Sequence, residues 1–276
     1  MERDLLTTRE VAKLLGVGTT SIKRWADSGL LRCVKTPGGH RRFPRDGVDA
    51  FLERGQSEPS YGGARVSPQN RTESWLRRLK DGISTNDIVK SLHAEWRGHG
   101  SWYEVADSMS LVLEEIGRAW ARGDLSVIQE HIISERLMRA IARIVESDLP
   151  TDGTRTCMLM AAEGDDHTLG LSLVELCLRE VGWSTTWVGR KTPVHIACEY
   201  ILGQDIQMVA VSASEYSRDS AALADQANRL AHACRTKGVP LMLGGMGLWP
   251  GDLEGTTRIF TFTQLHDALV KRNNIH

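Results

Sequence analysis

No stretch of this chain approaches the ~18 consecutive apolar residues that a membrane-spanning helix needs, so nothing in it reads as crossing a bilayer. The opening Met1-Glu2-Arg3-Asp4 is charged and lacks the apolar segment of a secretion signal. Cysteine is scattered: Cys33, Cys157, Cys177, Cys198 and Cys234 form no CxxC pair. That argues against a cysteine zinc site and for free thiols in a reducing cytoplasm, the expected location. Net charge is also nearly absent, at −1, but it is unevenly spread. Residues 1–54 hold eleven Lys/Arg against seven Asp/Glu, which leaves the rest of the chain acidic. A small basic head on an acidic body points to nucleic acid as the head's partner. What remains is ordinary for a globular protein, with 41% hydrophobic and 25% charged residues over 276 positions, enough for two domains or three small ones.

Thr7-Thr8-Arg9-Glu10 fits a capping box, with Thr7 as N-cap and Glu10 three residues on. Val11, Ala12, Leu14 and Leu15 then give one apolar face, and Gly16 ends this short helix. Thr19 or Thr20 caps a second helix that carries Ile22 and Trp25 inward and closes at Gly29. Thr19, Ser21, Lys23 and Arg24 are its expected DNA contacts. Two short helices around a tight turn form a helix-turn-helix, whose second helix enters the major groove. Pro37-Gly38-Gly39 then makes a tight turn between two short strands, a wing. His40, Arg41 and Arg42 follow the turn and are placed for phosphates or a minor groove. Residues 44–54 resume as a helix with Val48, Phe51 and Leu52 inward. This combination resembles the DNA-binding domain of MerR-family regulators, whose first helices and TPGGHRR(F/Y) wing match residues 7–43. The resemblance implies binding as a dimer to a palindromic operator. No long C-terminal coiled coil is present, so the body is expected to supply the oligomer contacts.

Residues 55–72 are rich in Gly, Ser and Pro without an apolar period, and read as a flexible linker. Over 73–150 the pattern is that of an up-down four-helix bundle. The first helix spans residues 73–80. The second, from Thr85, carries Ile88, Val89, Leu92 and Trp96. The third opens at a second capping box, Ser101 to Glu104. The fourth is capped by Asp124, with Leu125, Ile128, Ile132, Ile133, Leu137, Ile141 and Ile144 on its apolar side. Trp120 falls at the end of the third helix and Glu130-His131 on the fourth. Taken alone, these read as a core tryptophan and a solvated pair.

From residue 151 to 276 apolar runs alternate with helical patterns. Strands are expected at 156–162, 185–188, 208–212, 241–243 and 259–261, and helices at 169–181, 194–202, 221–237 and 264–272. Such alternation gives a doubly wound parallel α/β sheet in flavodoxin-like order. The loop after the first strand reads Glu163-Gly164-Asp165-Asp166-His167-Thr168-Leu169-Gly170, and in this fold that loop lies where ligands bind. Asp165 can hydrogen-bond the far ring nitrogen of His167, and Gly170 permits close backbone approach. The third strand ends in Ser212-Ala213-Ser214. The fourth ends in Gly244-Gly245, where a bare backbone would leave room for a flat group or a buried tail. No other His, Cys or carboxylate has metal-cluster spacing with His167. A single protein ligand implies a metal that arrives in a macrocycle, haem or corrin rather than zinc.

Asp165-x-His167-x-x-Gly170, Ser212 and Gly244-Gly245 resemble the cobalamin-binding signature of methionine synthase and the corrinoid mutases. There the histidine is the lower cobalt ligand, and the tail enters a groove lined by the Ser and the Gly-Gly. The usual Ser-x-Leu reads Ser212-Ala213-Ser214 here. Trp120, nine residues, then Glu130-His131 resembles the Wx9EH motif of the CarH/LitR-type photoreceptor repressors, which packs against the adenosyl group of adenosylcobalamin. With the head, these resemblances cover nearly the whole chain. They imply a cobalt-containing repressor, not an enzyme, that is tetrameric on DNA in the dark and released when light cleaves the cobalt–carbon bond. In well-matched members a histidine follows the tryptophan and ligates cobalt after photolysis; here that position is Ala121. The alternatives are a cobalamin or tetrapyrrole sensor without a light switch, and a corrinoid carrier module. A carrier would not need residues 1–54.

Overall fold

The computed structural model describes residues 5–15, 22, 26, 31–36, 38–49, 68–149, 153–251 and 253–273. They belong to two compact units, Met1–Ser67 and Pro68–His276.

In the first unit, β1 (Leu5–Thr7), α1 (Thr8–Leu15), β2 (Val34–Lys35) and β3 (Arg41–Pro44) enclose a small core. It is built from Val11, Ala12, Ile22, Leu31, Phe43 and Val48, all buried. The first capping box forms: the Thr7 amide donates to the Glu10 carboxylate at 2.7 Å and the Glu10 amide to Thr7 Oγ1 at 3.3 Å. Leu14, expected on the inner face of α1, is exposed instead. The three strands run antiparallel in the order β1-β3-β2, with Leu6 opposite Phe43 and Val34 opposite Arg42. The wing turn closes through Gly39 N–H to Thr36 carbonyl (2.8 Å) and Thr36 N–H to His40 carbonyl (2.9 Å). Gly39 sits at φ 77°, where a side chain would be strained. Thr19, Ser21, Lys23 and Arg24 lie outside the described residues, as do 50–67.

The second unit opens with four helices: α2 (Pro68–Lys80), α3 (Thr85–His99), α4 (Trp102–Ala121) and α5 (Val127–Asp148). The first starts at Pro68, inside the expected 55–72 linker. Proline lacks an N–H, and the first turn of a helix needs none there. Trp75, Leu79, Ile88, Leu92, Trp96, Val105, Met109, Val112, Ile133, Leu137, Ile141 and Ile144 fill the bundle core. Two caps differ from expectation. Ser101 precedes α4, but its hydroxyl makes no cap bond; the Trp102 amide donates instead to Glu180 at 2.8 Å, and Glu104 pairs with His99 at 3.4 Å. Asp124 does not cap α5 either. It pairs with Arg122, and the cap is Ser126, in a full box with Gln129 (2.9 and 3.2 Å). Ile128 and Ile132, expected on the apolar side, face outward, 70% and 45% exposed, whereas Leu125 is buried in the preceding loop.

Then follow β4 (Arg155–Ala161), α6 (Leu169–Glu180), β5 (Trp183–Gly189), α7 (Val194–Gly203), β6 (Met208–Ser212), α8 (Ser220–Lys237), β7 (Leu241–Gly244), β8 (Thr256–Arg258) and α9 (Phe262–Asn273). The strands form a parallel sheet in the order β5-β4-β6-β7-β8, the doubly wound flavodoxin-like order. Met158, Met160 and Ala162 pack into a core with α7 and α8. The alternate Cys157, Leu159 and Ala161 are equally buried, as a strand covered on both faces requires. On that other face α6 packs against α4 and α5, so the bundle sits on the sheet through α6. The last strand is Thr256–Arg258, not 259–261: Leu243 pairs with Arg258, and Ile259 begins the exit toward α9. The N-terminus of α9 is held by α4, because Asp107 accepts the Phe262 amide (2.6 Å), the Thr263 amide (3.0 Å) and the Thr263 hydroxyl (2.6 Å). Tyr103 stacks on His266 beside it, with ring centres 4.1 Å apart. All five cysteines are free thiols.

Candidate functional site

The chain reverses strand order between β4 and β6, and the loop leaving β4 lies over that switch point. Ala161 pairs with Ser212 in register, and the Ala162 amide donates to the Ser212 carbonyl at 2.8 Å. The loop then turns through Gly164, at φ 89°, and buries Asp165 while presenting His167.

Asp165 is the organising group. Its Oδ1 accepts the His167 amide and the His167 ring Nδ1, both at 2.9 Å. Its Oδ2 accepts the Ser214 amide at 2.5 Å and the Ser217 hydroxyl at 2.7 Å. Burial alone would raise its pKa, but the four hydrogen bonds outweigh that and hold the carboxyl well below the usual carboxylate range. His167 moves the other way. Its hydrogen bond to Asp165 raises its pKa, partial burial opposes this, and the charges of Asp165, Glu130 and Asp166 add to the rise. Ser214 Oγ lies 3.2 Å from the same Nδ1. A proton held at Nδ1 by a carboxylate leaves Nε2 as the lone-pair nitrogen, the tautomer a metal ligand needs. Ser214, which departs from the resembled motif, is thus part of the imidazole's support.

Gly170 faces Ser212; a Cβ there would stand 4.0 Å from Ser212 Oγ. Gly244 is in register with Ser212. Gly245, at φ 77°, is bare for a different reason from the expected one: a Cβ would stand 2.2 Å from the Ala213 carbonyl oxygen, so the space beside it is filled by backbone. Gly247 was not singled out by its sequence, yet a Cβ there would meet the Ala213 side chain at 2.4 Å. Arg258 fixes this turn by donating to the Leu243 carbonyl (2.7 Å) and the Gly245 carbonyl (2.5 Å).

Above the loop, the bundle brings Trp120 edge-on to Tyr216, with centroids 5.8 Å apart at 78°. Tyr216 in turn stacks on the His167 ring at 5.0 Å and 21°. Glu130 is half-buried, accepts the Ser134 hydroxyl at 2.5 Å, and its charge reaches both His167 and Tyr216. The structure therefore gathers Trp120, Glu130, Asp165, His167 and Ser214, and places Gly170, Ser212, Gly244 and Gly245 around the adjoining strand ends. His131 is not gathered: its side chain is 73% exposed and lies 3.6 Å from Glu130. Tyr216 and Ser217 carry no periodic or motif signal. They meet the loop across about fifty residues, which a local pattern does not reveal.

Among the described residues no three His, Cys, Asp or Glu side chains form a metal cluster. One imidazole, oriented by a buried carboxylate and backed by close-packed glycines, suits a metal that brings its other ligands with it. In the separate first unit, His40, Arg41 and Arg42 gather with Arg9 around a cavity of about 340 Å3 at the start of α1.

Comparison with known proteins gives the same division. A helix-turn-helix domain family matches residues 5–56. The chain is 24% identical to the HTH-type transcriptional repressor CarH of Myxococcus xanthus over 264 residues, covering 85% of this chain and 86% of that one. It is 25% identical to the repressor CarA of the same organism, covering 88% and 87%. In fold it is similar to the monomethylamine corrinoid protein of Methanosarcina barkeri, with a TM-score of 0.51 at 14% identity over 70% of this chain and 96% of that one. The likeness to CarH-type repressors thus extends over most of the sequence, and the likeness to the corrinoid protein is one of fold.

Proposed function

We propose that this chain is a DNA-binding transcriptional repressor whose body binds cobalamin and whose DNA affinity follows the state of that cofactor. The observation that carries the reading is the Asp165–His167 pair at the sheet's switch point, under Trp120. His167 would hold cobalt from below through Nε2, with Asp165 fixing the ring. Gly170, Ser212, Gly244 and Gly245 would line the path of the tail. Trp120 and Glu130 would cover the upper face, where they fit an adenosyl group by stacking and hydrogen bonding. Bound adenosylcobalamin would supply a cobalt–carbon bond that light breaks. The chain's own part is to couple the upper face to assembly: Trp120 ends α4, and any change of contact at its ring is a change in how the bundle seats on the sheet. The dark form is proposed to be a tetramer that holds an operator through the wings and second helices of its heads. Residues 1–54 are proposed as that head, joined by a linker to the bundle and the cofactor domain. This reading requires no chemistry on a substrate.

A second reading is favoured by Ala121, which has no donor atom, and by the outward-turned His131. The illuminated state is then not trapped by an upper histidine, and the protein senses cobalamin without acting as a light switch. Purified protein given adenosylcobalamin in the dark is expected to show the corrin absorbance, a larger hydrodynamic size and tight operator binding, all reversed by green light. A bound corrin with no effect of light on size or DNA leaves the second reading. No corrin band refutes both. A stable two-histidine cobalt spectrum after illumination, persisting in His131→Ala, would overturn the role given to Ala121.

A further inference from the structure

Tyr216 touches both halves of the site. Its ring stacks on His167 with centroids 5.0 Å apart and meets Trp120 nearly perpendicular, with centroids 5.8 Å apart. The backbone that carries it is pinned. Ser214 and Ser217 on either side donate to Asp165, the Tyr216 amide donates to Ser214 Oγ at 3.3 Å, and the Tyr216 carbonyl accepts the Arg218 amide at 3.0 Å. The neighbouring Glu215 lies near α4, 3.8 Å from where a Cβ of Gly117 would stand, one turn before Trp120. The loop is therefore seated against both the sheet and α4, and the ring is tethered only at its hydroxyl, by a side-chain hydrogen bond to Glu215. Once that bond is released the ring has room to turn: Tyr216 is 43% exposed and borders a cavity of about 360 Å3 shared with His167, Arg218, Asp219 and Gln226.

A flat macrocycle needs contact distances of about 3.5–4.0 Å on each face, so groups above and below it stand roughly 7–8 Å apart. Trp120 and Tyr216 are in mutual ring contact, closer than that. Tyr216 stands beside the imidazole, so a macrocycle held by His167 beneath Trp120 cannot fit while Trp120 and Tyr216 stay in contact.

We propose that Tyr216 is a gate: its ring closes the site by bridging Trp120 and His167, and it swings toward the α8 side to admit a flat corrin. The proposal rests on the cobalamin reading above, but adds a closed conformation that binding must first open. A ligand whose competent conformer is a minor one binds with an affinity reduced by that fraction. Removing the closing contacts should therefore strengthen binding, the opposite of what loss of a structural tyrosine would do.

The test measures dark binding of adenosylcobalamin and hydroxocobalamin by absorbance to the full-length wild-type protein and to Tyr216→Ala, Tyr216→Phe and His167→Ala. The expected result is a gain in apparent affinity for Tyr216→Ala, up to roughly tenfold and carried mainly by faster association, with Tyr216→Phe between wild type and Tyr216→Ala because the ring contacts remain and the Glu215 bond is lost. Tryptophan fluorescence of the cofactor-free protein should shift in Tyr216→Ala and not in Tyr216→Phe, as Trp120 loses its neighbour. Unchanged or weaker binding by a folded Tyr216→Ala protein overturns the gate and leaves the cobalamin reading intact. If Tyr216→Ala does not fold, Tyr216→Leu takes its place under the same criteria. Wild-type protein that binds neither cobalamin overturns the gate and the reading together.

Discussion

Two side chains set the chemistry of the site, and each makes a measurable claim. His167→Ala is expected to weaken cobalamin binding by about a hundredfold or more; titration of the corrin absorbance measures this, and retained tight binding refutes the ligand role. Asp165 makes a claim about pH. Its folded-state pKa is depressed below the ordinary value of 3.8, so the stability it contributes is fully present above that value and is lost as the pH falls below it. Asp165→Asn should cost about 2 kcal/mol in urea unfolding at pH 7, and the gap from wild type should narrow below about pH 4. A gap that stays constant to pH 3 would show that the carboxylate's charge is not what matters. Asp165 and His167 were legible in the sequence because they are two residues apart and their geometry is local. Tyr216 and Ser217 were not, because their partners lie 49–52 residues away in sequence and appear only when β4 and β6 pair.

At the scale of elements, apolar runs identify strands and helices better than their ends. The Cys157–Ala161 part of β4 and most of β6 are continuous apolar segments, and the strand expected at 208–212 has those bounds. β8 lies ahead of the expected 259–261 because an edge strand is paired on one side and needs no such run: Thr256–Arg258 is polar, and the apolar Ile259 and Phe260 follow the last registered pair, Leu243 with Arg258. Caps are ambiguous where two candidates compete. Asp124 and Ser126 both suit an N-cap, and Arg122 draws Asp124 away. Ser126→Ala should therefore lower stability by about 1 kcal/mol, whereas Asp124→Ala should change it little. Chemical denaturation of the two variants decides between them, and the reverse order would restore Asp124 as the cap. Ile128 and Ile132 face outward because, at about 100° per residue, they lie off the stripe formed by Ile133, Leu137, Ile141 and Ile144.

At the scale of the whole molecule, the head and the body make separable contributions. Arg41→Ala in the wing should weaken operator binding roughly uniformly across sequences and reduce the salt dependence by about one counterion. Cobalamin binding by the body should be unaffected. Binding isotherms at several salt concentrations read the slope, and an unchanged slope argues against a phosphate contact. The division into a basic head and an acidic body was visible in charge alone, and the wing in its Pro-Gly-Gly turn. The seating of the bundle on α6 was not, since it depends on which exposed stripe of each helix meets the sheet.

The grip of Asp107 on the start of α9 has a mechanical consequence. It lies near the beginning of α4, together with the Glu180 bond to the Trp102 amide, and Trp120 lies at the far end of the same helix. Twenty residues of α-helix make a rod about 30 Å long. With one end fastened to the last helix of the sheet domain, a tilt of about 5° carries the other end through roughly 2.5 Å. Substitutions in the C-terminal helix, far from His167, thus act at the fulcrum of the lever that positions Trp120.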